Sequence, residues 1–331
     1  MSATRMRRPA ACASFLTAWG LVMVGVSGQG VDQAALKSIV GHEKKAHAQT
    51  TIVSPPLTST ESKAALATIQ ALRRLLLETP ALTGLRGHDW ATYGHIGGQG
   101  AGHPLKLRLG YIAYPYFFNA RMQRAESSAE GPPFGIYVND PDVVIGQGGF
   151  LVDEDARFTF APAVVATVDG YPVYGDSDRF IVITGDGRPL FAPVTQQQFL
   201  DLRISQARGG LESMKESLAS LPDGPEKRAA IGKQEARLTA LVAERSSMTE
   251  AQLWAPALDP DGRPTRRASF LAEPGTGRTR AIVMVNPALF DPHKPRTSAQ
   301  VIVLGSIRYE PALYGQVESQ IDKAALARLL D

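Results

Sequence analysis

The chain holds a single cysteine, Cys12, among 331 residues. It lies near the N-terminus, so the body of the chain has no thiol for a disulfide, a thiolate metal site or a cysteine nucleophile. An excess of charge is missing too. Lys and Arg number 35 against 32 Asp and Glu. Six of those cations and two of those anions fall within residues 1–48, which leaves 29 positive and 30 negative groups from residue 49 on, a net charge of −1. A near-neutral body lacks the basic surface that nucleic acid or an anionic lipid surface selects, and neither is expected as a partner. The local signatures G-x-S-x-G, S-x-x-K and H-E-x-x-H are absent as well, which weighs against the common serine and zinc hydrolases. Internal repeats and low-complexity tracts are also lacking.

What is present begins with an export pattern. Arg5, Arg7 and Arg8 precede the apolar stretch Ala11–Val26 (ACASFLTAWGLVMVGV), and small residues follow. Positive n-region, apolar h-region and small-residue exit are the three parts of a secretory signal. A cut is expected after Gly28 or, on the better A-x-A match, after Ala48. The alternative is an uncleaved anchor over residues 10–28, at the short end of what a spanning helix needs. Residues 1–48 therefore read as leader and pre-domain segment, and membrane contact is expected only through that leader. The expected location is the periplasm or the exterior.

Residues 49–60 (QTTIVSPPLTST) read as a polar linker with a Pro-Pro pair. Residues 61–331 read as one α+β domain. Ala65, Ile69, Leu72, Leu75 and Leu76 share one face of a helix expected over 61–78 with Thr60 as its N-cap. The glycine-rich stretch 84–104 reads as an irregular loop. Strand signals dominate afterwards, at Leu105–Asn119, Phe134–Asn139, Gly149–Asp153, Ala163–Val168, Phe180–Thr184, Ala281–Val285 and Gln300–Arg308. Thr184–Arg188 (TGDGR) reads as a hairpin turn into Pro189–Phe191.

A helical hairpin is expected as an insertion over about 196–252. Leu211, Met214, Leu218 and Leu221 repeat at helical spacing, Pro222–Pro225 breaks the run, and Ile231, Leu238, Leu241 and Val242 carry a second helix. Its charged faces invite a partner-binding or coiled-coil seam. An amphipathic helix over Val317–Leu330 closes the chain. With no regular βαβ alternation, the expected sheet is mainly antiparallel.

Candidate chemistry is sparse. His88, His95 and His103 lie within sixteen residues, with Asp89 beside the first, and imidazoles serve as metal ligands or general bases. Their spacings of seven and eight fit neither an i,i+4 helical pair nor an H-x-H strand pair. The run Gly97–Gly102 lacks the following helix and the Gly-Lys-Ser/Thr of a phosphate loop. Asp140/Asp142, Asp153/Asp155, Asp176/Asp178 and Asp259/Asp261 all fall at expected turns, where Asp caps the local backbone.

Arg188–Leu200 (RPLFAPVTQQQFL), Asn286–Asp291 (NPALFD), Pro295 and Gln300–Val303 (QVIV) are similar to stretches of uncharacterised exported bacterial proteins. That resemblance implies an exported folded unit with a helical insertion, and no activity or site residue. The function expected from the sequence is a non-catalytic exported binding protein, without cofactor, for a protein or small ligand of the envelope. The alternative is a hydrolase or metal-dependent enzyme built on His88, Asp89, His95 and His103.

Overall fold

The computed structural model describes residues 33–100, 103–145, 151–153, 158–175, 178–259, 280–306 and 312–331. Of the expected leader and pre-domain segment over residues 1–48, residues 1–32 lie outside the described residues, as do the carboxylates at 154, 155, 176 and 261, while 33–48 hold a helix and the start of a strand. The chain is α+β. In order it runs α1 (Gln33–Ser38), β1 (Glu43–Ser54), α2 (Ser59–Leu77), β2 (His88–Gln99), β3 (Lys106–Asn119), β4 (Arg124–Ser127), β5 (Pro133–Val138) and α3 (Asp142–Ile145). It continues with β6 (Leu151–Asp153), β7 (Phe158–Phe160), β8 (Val164–Val168), β9 (Tyr171–Tyr174), β10 (Arg179–Thr184) and β11 (Phe191–Pro193). The remainder is α4 (Gln196–Ser217), α5 (Pro225–Ser247), α6 (Glu250–Trp254), β12 (Leu258–Asp259), β13 (Arg280–Val285), β14 (Val301–Ser306), α7 (Tyr314–Gln320) and α8 (Lys323–Ala327).

Nine strands form the main sheet, in the order β1-β2-β3-β5-β14-β10-β9-β8 with β4 paired to β3. A smaller sheet runs β11-β13-β7-β6 with β12 on β13. The main sheet is mixed. β1 and β2 are parallel, and the other described pairings are antiparallel. A parallel pair needs a crossover, and α2 supplies it, so β1-α2-β2 is one βαβ unit in a chain whose expected sheet was mainly antiparallel.

One face of the main sheet carries the largest core. Leu107, Leu109 and Tyr111 of β3, Phe134 and Ile136 of β5, and Ile302 and Leu304 of β14 meet Ile69, Leu72 and Leu76 of α2 and Tyr314, Val317 and Leu326 from α7 and α8. Each fully buried aliphatic or aromatic side chain contributes about 1.5–3 kcal/mol. Among the described residues the opposite face is covered around β5, β14 and β10, where Tyr137, Phe180, Val182, Val301 and Val303 pack on Val144, Leu190 and Leu289. Strands buried on both faces need continuous apolar runs, and RFIVIT and VIVLGS are such runs.

Four boundaries depart from expectation. Residues 49–54 are the second half of β1 rather than a linker. They pair with Gly94–Gln99, and the β-branched run Thr50–Val53 suits the strand although a Pro-Pro pair follows it. α2 begins two residues earlier than expected because Thr58, not Thr60, caps it. Its hydroxyl accepts from the Glu61 N–H at 3.2 Å, and the Glu61 carboxylate accepts from the Thr58 N–H at 2.8 Å. The glycine-rich loop is largely the twelve-residue strand β2. Strands on both sides override the weak strand propensity of its glycines. The closing helix is two short ones, since the Asp322 carboxylate accepts from the Ala325 N–H at 2.7 Å and restarts the helix there.

The expected hairpin at Thr184–Arg188 is also corrected. The turn is tight, with Asp186 and Gly187 at positive φ of 55° and 64°. It joins two sheets, however: β10 pairs with β14 and β9, whereas β11 pairs with β13.

Candidate functional site

Side chains on a strand alternate between faces, so the uncovered face at the β1-β2-β3 end can be read from register. Thr50 of β1 stands beside His95 of β2, His95 opposite Arg108 of β3, and Arg108 opposite Tyr137 of β5. The next row holds Tyr93, Gly110, Gly135 and Gly305, paired in turn across β2, β3, β5 and β14.

The glycine row gives the neighbouring rings room to lie flat. A Cβ on Gly110 would put three ring carbons of Tyr93 within 2.5 Å, and one on Gly135 would meet the Tyr137 ring at 2.5–2.6 Å. A third aromatic, Phe180, occupies the space beside Gly305. Rings covering strand glycines recover burial that glycine itself cannot provide.

Arg108 lies between two of these rings. Its guanidinium carbon is 5.3 Å from the Tyr93 centroid and 5.1 Å from that of Tyr137. Both separations are within cation–π range. One guanidinium N–H donates to the Tyr93 hydroxyl at 2.8 Å. The buried Nε has no partner, and among the described residues no carboxylate forms an ion pair with Arg108. Burial pushes both phenols up from the ordinary tyrosine value of 10; Arg108 pulls partly back on each. Neither phenol supplies the negative charge that Arg108 lacks.

The neighbouring groups are already engaged. The Lys106 ammonium is held by Asp140 at 2.7 Å and Asp142 at 2.6 Å. The Lys44 ammonium lies 4.4 Å from the Tyr114 centroid and donates to the Ser128 carbonyl at 2.7 Å. His95 shares a 2.9 Å hydrogen bond through Nδ1 with the Thr50 hydroxyl. Gly97 makes room for its ring, since a Cβ there would sit 3.0 Å from Nε2. Among the described residues, Arg108 is a cation on this face with no carboxylate in ion-pair range.

The expected histidine cluster does not assemble. His88 and His95 lie seven residues apart on β2, an odd interval that sends them to opposite faces, about 23 Å apart along the strand. His88 Nδ1 is engaged with the Arg86 carbonyl at 3.2 Å, and His103 follows β2 against Gly100. Asp89 belongs to a separate cluster, accepting from the Tyr116 hydroxyl at 2.5 Å and from the His42 N–H at 3.1 Å. Among the described residues no group of three or more His, Cys, Asp or Glu is arranged to hold a metal ion. The enzyme reading on His88, Asp89, His95 and His103 therefore loses its geometric basis.

Sequence reasoning missed Tyr93, Arg108 and Tyr137. Part of the signal was legible: in Leu105–Gly110 (LKLRLG), leucines alternate with Lys106, Arg108 and Gly110, the pattern of a half-buried strand. The two tyrosines come from other strands, and only register brings them to the arginine. No helix among the described residues is long and apolar enough to cross a membrane. Family models, curated proteins and solved structures were all compared with the chain, and none matches.

Proposed function

We propose that the chain is a non-catalytic exported binding protein whose ligand presents an anionic group to Arg108 on the face of β2 and β3 opposite the main core, beside the covered part of β5. The observation that carries this reading is the uncompensated guanidinium, held over Tyr93 and Tyr137 with its Nε unpaired. A half-buried cation without a counter-ion is costly, and a carboxylate or phosphate would supply the missing charge-assisted hydrogen bonds. The surroundings favour binding over reaction. His95 is tied to Thr50, Lys106 is neutralised by two carboxylates, and among the described residues no serine or carboxylate is paired with a base beside the arginine.

In this reading α4 and α5 form an antiparallel helical hairpin that stands as a second contact surface. Asp201 pairs with Arg245 at 2.5 Å and Lys215 with Glu235 at 2.8 Å, around the small core of Leu200, Ala207 and Leu241. The apolar contacts stop well short of the tip, where Leu221 is half exposed.

The test is a thermal-shift titration of the protein as isolated from cells. Inorganic phosphate and acetate are the probes, against chloride at constant ionic strength. A ligand at one hundred times its dissociation constant stabilises the folded state by about 2.7 kcal/mol. One of the two anions should raise the melting temperature, and Arg108→Gln should abolish the rise. No anion-specific shift in the parent protein, or an equal shift in Arg108→Gln, overturns the reading. A reporter enzyme active only outside the cytoplasm, fused after Asp331, tests the export half independently.

A further inference from the structure

We infer that two copies of this chain pair edge to edge through β1, extending the main sheet across a two-fold axis at Thr51. Among the described residues β1 is the outermost strand of the main sheet and pairs with β2 alone. Its register against β2 is irregular between Glu43 and Ala48 and unbroken from Ala48 to Ser54. Those seven residues, AQTTIVS, carry no charge and include four β-branched side chains. Ala48 to Ile52 are exposed without alternation, so both faces of the strand are open, and Ile52 is 73% exposed.

An open, uncharged edge of that length is what folded proteins avoid or cover. The other end of the same sheet shows the usual protection. β8 is only five residues long and its pairing is broken by an irregularity between Val164 and Ala166. On β1 the charged residues Glu43, Lys44 and Lys45 all lie at the N-terminal end, and the Lys44 ammonium turns aside to Ser128. The remaining segment has no device against pairing.

The occupant is a second copy in antiparallel register, because that direction keeps the charged N-terminal end of β1 away from its own copy. Antiparallel pairing about Thr51 sets Thr51 opposite its own copy, Thr50 opposite Ile52 and Gln49 opposite Val53. Each pair keeps both members on one face of the sheet, as the period of two demands. The charged ends fall at opposite extremes of the pair. A parallel arrangement would stack lysine on lysine, and like charges directly opposite are destabilising. The pairing is isologous and closes as a dimer. It brings Ile52 of the second copy beside Thr50, the residue that holds His95. Nothing in this inference depends on the role of Arg108.

Two measurements on the protein as isolated from cells test it. The first is sedimentation mass from about 10 μM to about 1 mM, since an edge pairing of seven residues buries less than the roughly 1,600 Å² of a standard interface and forms a weak dimer. The mass should double across that range. Thr51→Lys, which sets two ammonium groups opposite each other, should keep it at the monomer value with an unchanged melting temperature. The second is oxidative crosslinking in a Cys12→Ser background. Thr51→Cys places two thiols across the axis at the 4.5–5.5 Å Cα spacing of a directly opposed pair, which a disulfide spans. Val53→Cys leaves its two copies about 14 Å apart along the strands. At least tenfold faster crosslinking at position 51 is expected. A constant monomer mass, a Thr51→Lys protein that still dimerises, or equal crosslinking at both positions overturns the inference.

Discussion

Gly110→Ala adds one methyl group where the sheet has no room for it. The new Cβ would have three Tyr93 ring carbons within 2.5 Å, against an ordinary contact distance of 3.4 Å or more. The ring must therefore withdraw by about 1 Å or more, because the glycine backbone is pinned by Tyr93 on one side and Gly135 on the other. Overpacking of this kind costs typically about 1–3 kcal/mol. Tyr93 also accepts the 2.8 Å hydrogen bond from Arg108 and lies beneath its guanidinium, so the displacement loosens the candidate site as well.

Urea unfolding followed by tryptophan fluorescence would measure the cost. Trp90, stacked on Tyr111 at 6.0 Å, reports on the other face of the same strands. The mechanism makes a sharper demand through a double-mutant cycle. If the clash is with the Tyr93 ring, Tyr93→Ala removes it, and Gly110→Ala in that background should cost about 0.5 kcal/mol or less. The coupling between the two sites then accounts for most of the single-mutant penalty. Equal costs in both backgrounds, within about 0.5 kcal/mol, would refute the argument that the glycine exists to seat the ring.

Three further outcomes are expected. Leu72→Ala empties a fully buried position between α2 and the main sheet and should destabilise by about 2–5 kcal/mol in the same unfolding assay. Burial works against ionisation of Asp89, but hydrogen bonds from Tyr116, the His42 N–H and Ser127 outweigh it and hold its pKa below the ordinary 3.8. Its contribution to stability is thus present above about pH 4 and lost as pH falls through the depressed value. Burial and the bond to Asp89 push Tyr116 up to about 12, a contribution present below about pH 10 and lost as pH rises through 12. Asp89→Asn should flatten the acid limb of a stability–pH profile and bring the Tyr116 titration down toward 10 in an alkaline ultraviolet titration. Finally, leader cleavage is expected before Gln33 and not after Ala48. Leu36 is buried, Glu43 pairs with Arg73 at 3.0 Å, and the first half of β1 lies on β2. N-terminal sequencing of the isolated protein that begins at Gln49 would refute this.

Much of the secondary structure was legible because it depends on neighbours a few residues apart. The apolar spacing of Ala65, Ile69, Leu72 and Leu76 marks the buried face of α2, and RFIVIT and VIVLGS mark strands covered on both sides. Proline and glycine between Ser217 and Pro225 separate α4 from α5. Composition alone places the single cysteine at position 12 and leaves residues 49–331 with 29 positive and 30 negative groups. The candidate site was not legible, because Tyr93, Arg108 and Tyr137 lie on three strands and meet only through register.

The tertiary structure decided what local chemistry leaves open. Residues 49–54 follow a leader pattern and precede a Pro-Pro pair, and the run through Gln99 is rich in glycine, yet each becomes strand by lying beside the other in the sheet. The same pairing dismantles the histidine cluster, since a strand turns residues at an odd interval to opposite faces. Short-range preference sets where a helix or strand can form. Hydrogen bonding between distant segments sets which ones do, and which side chains then share a face.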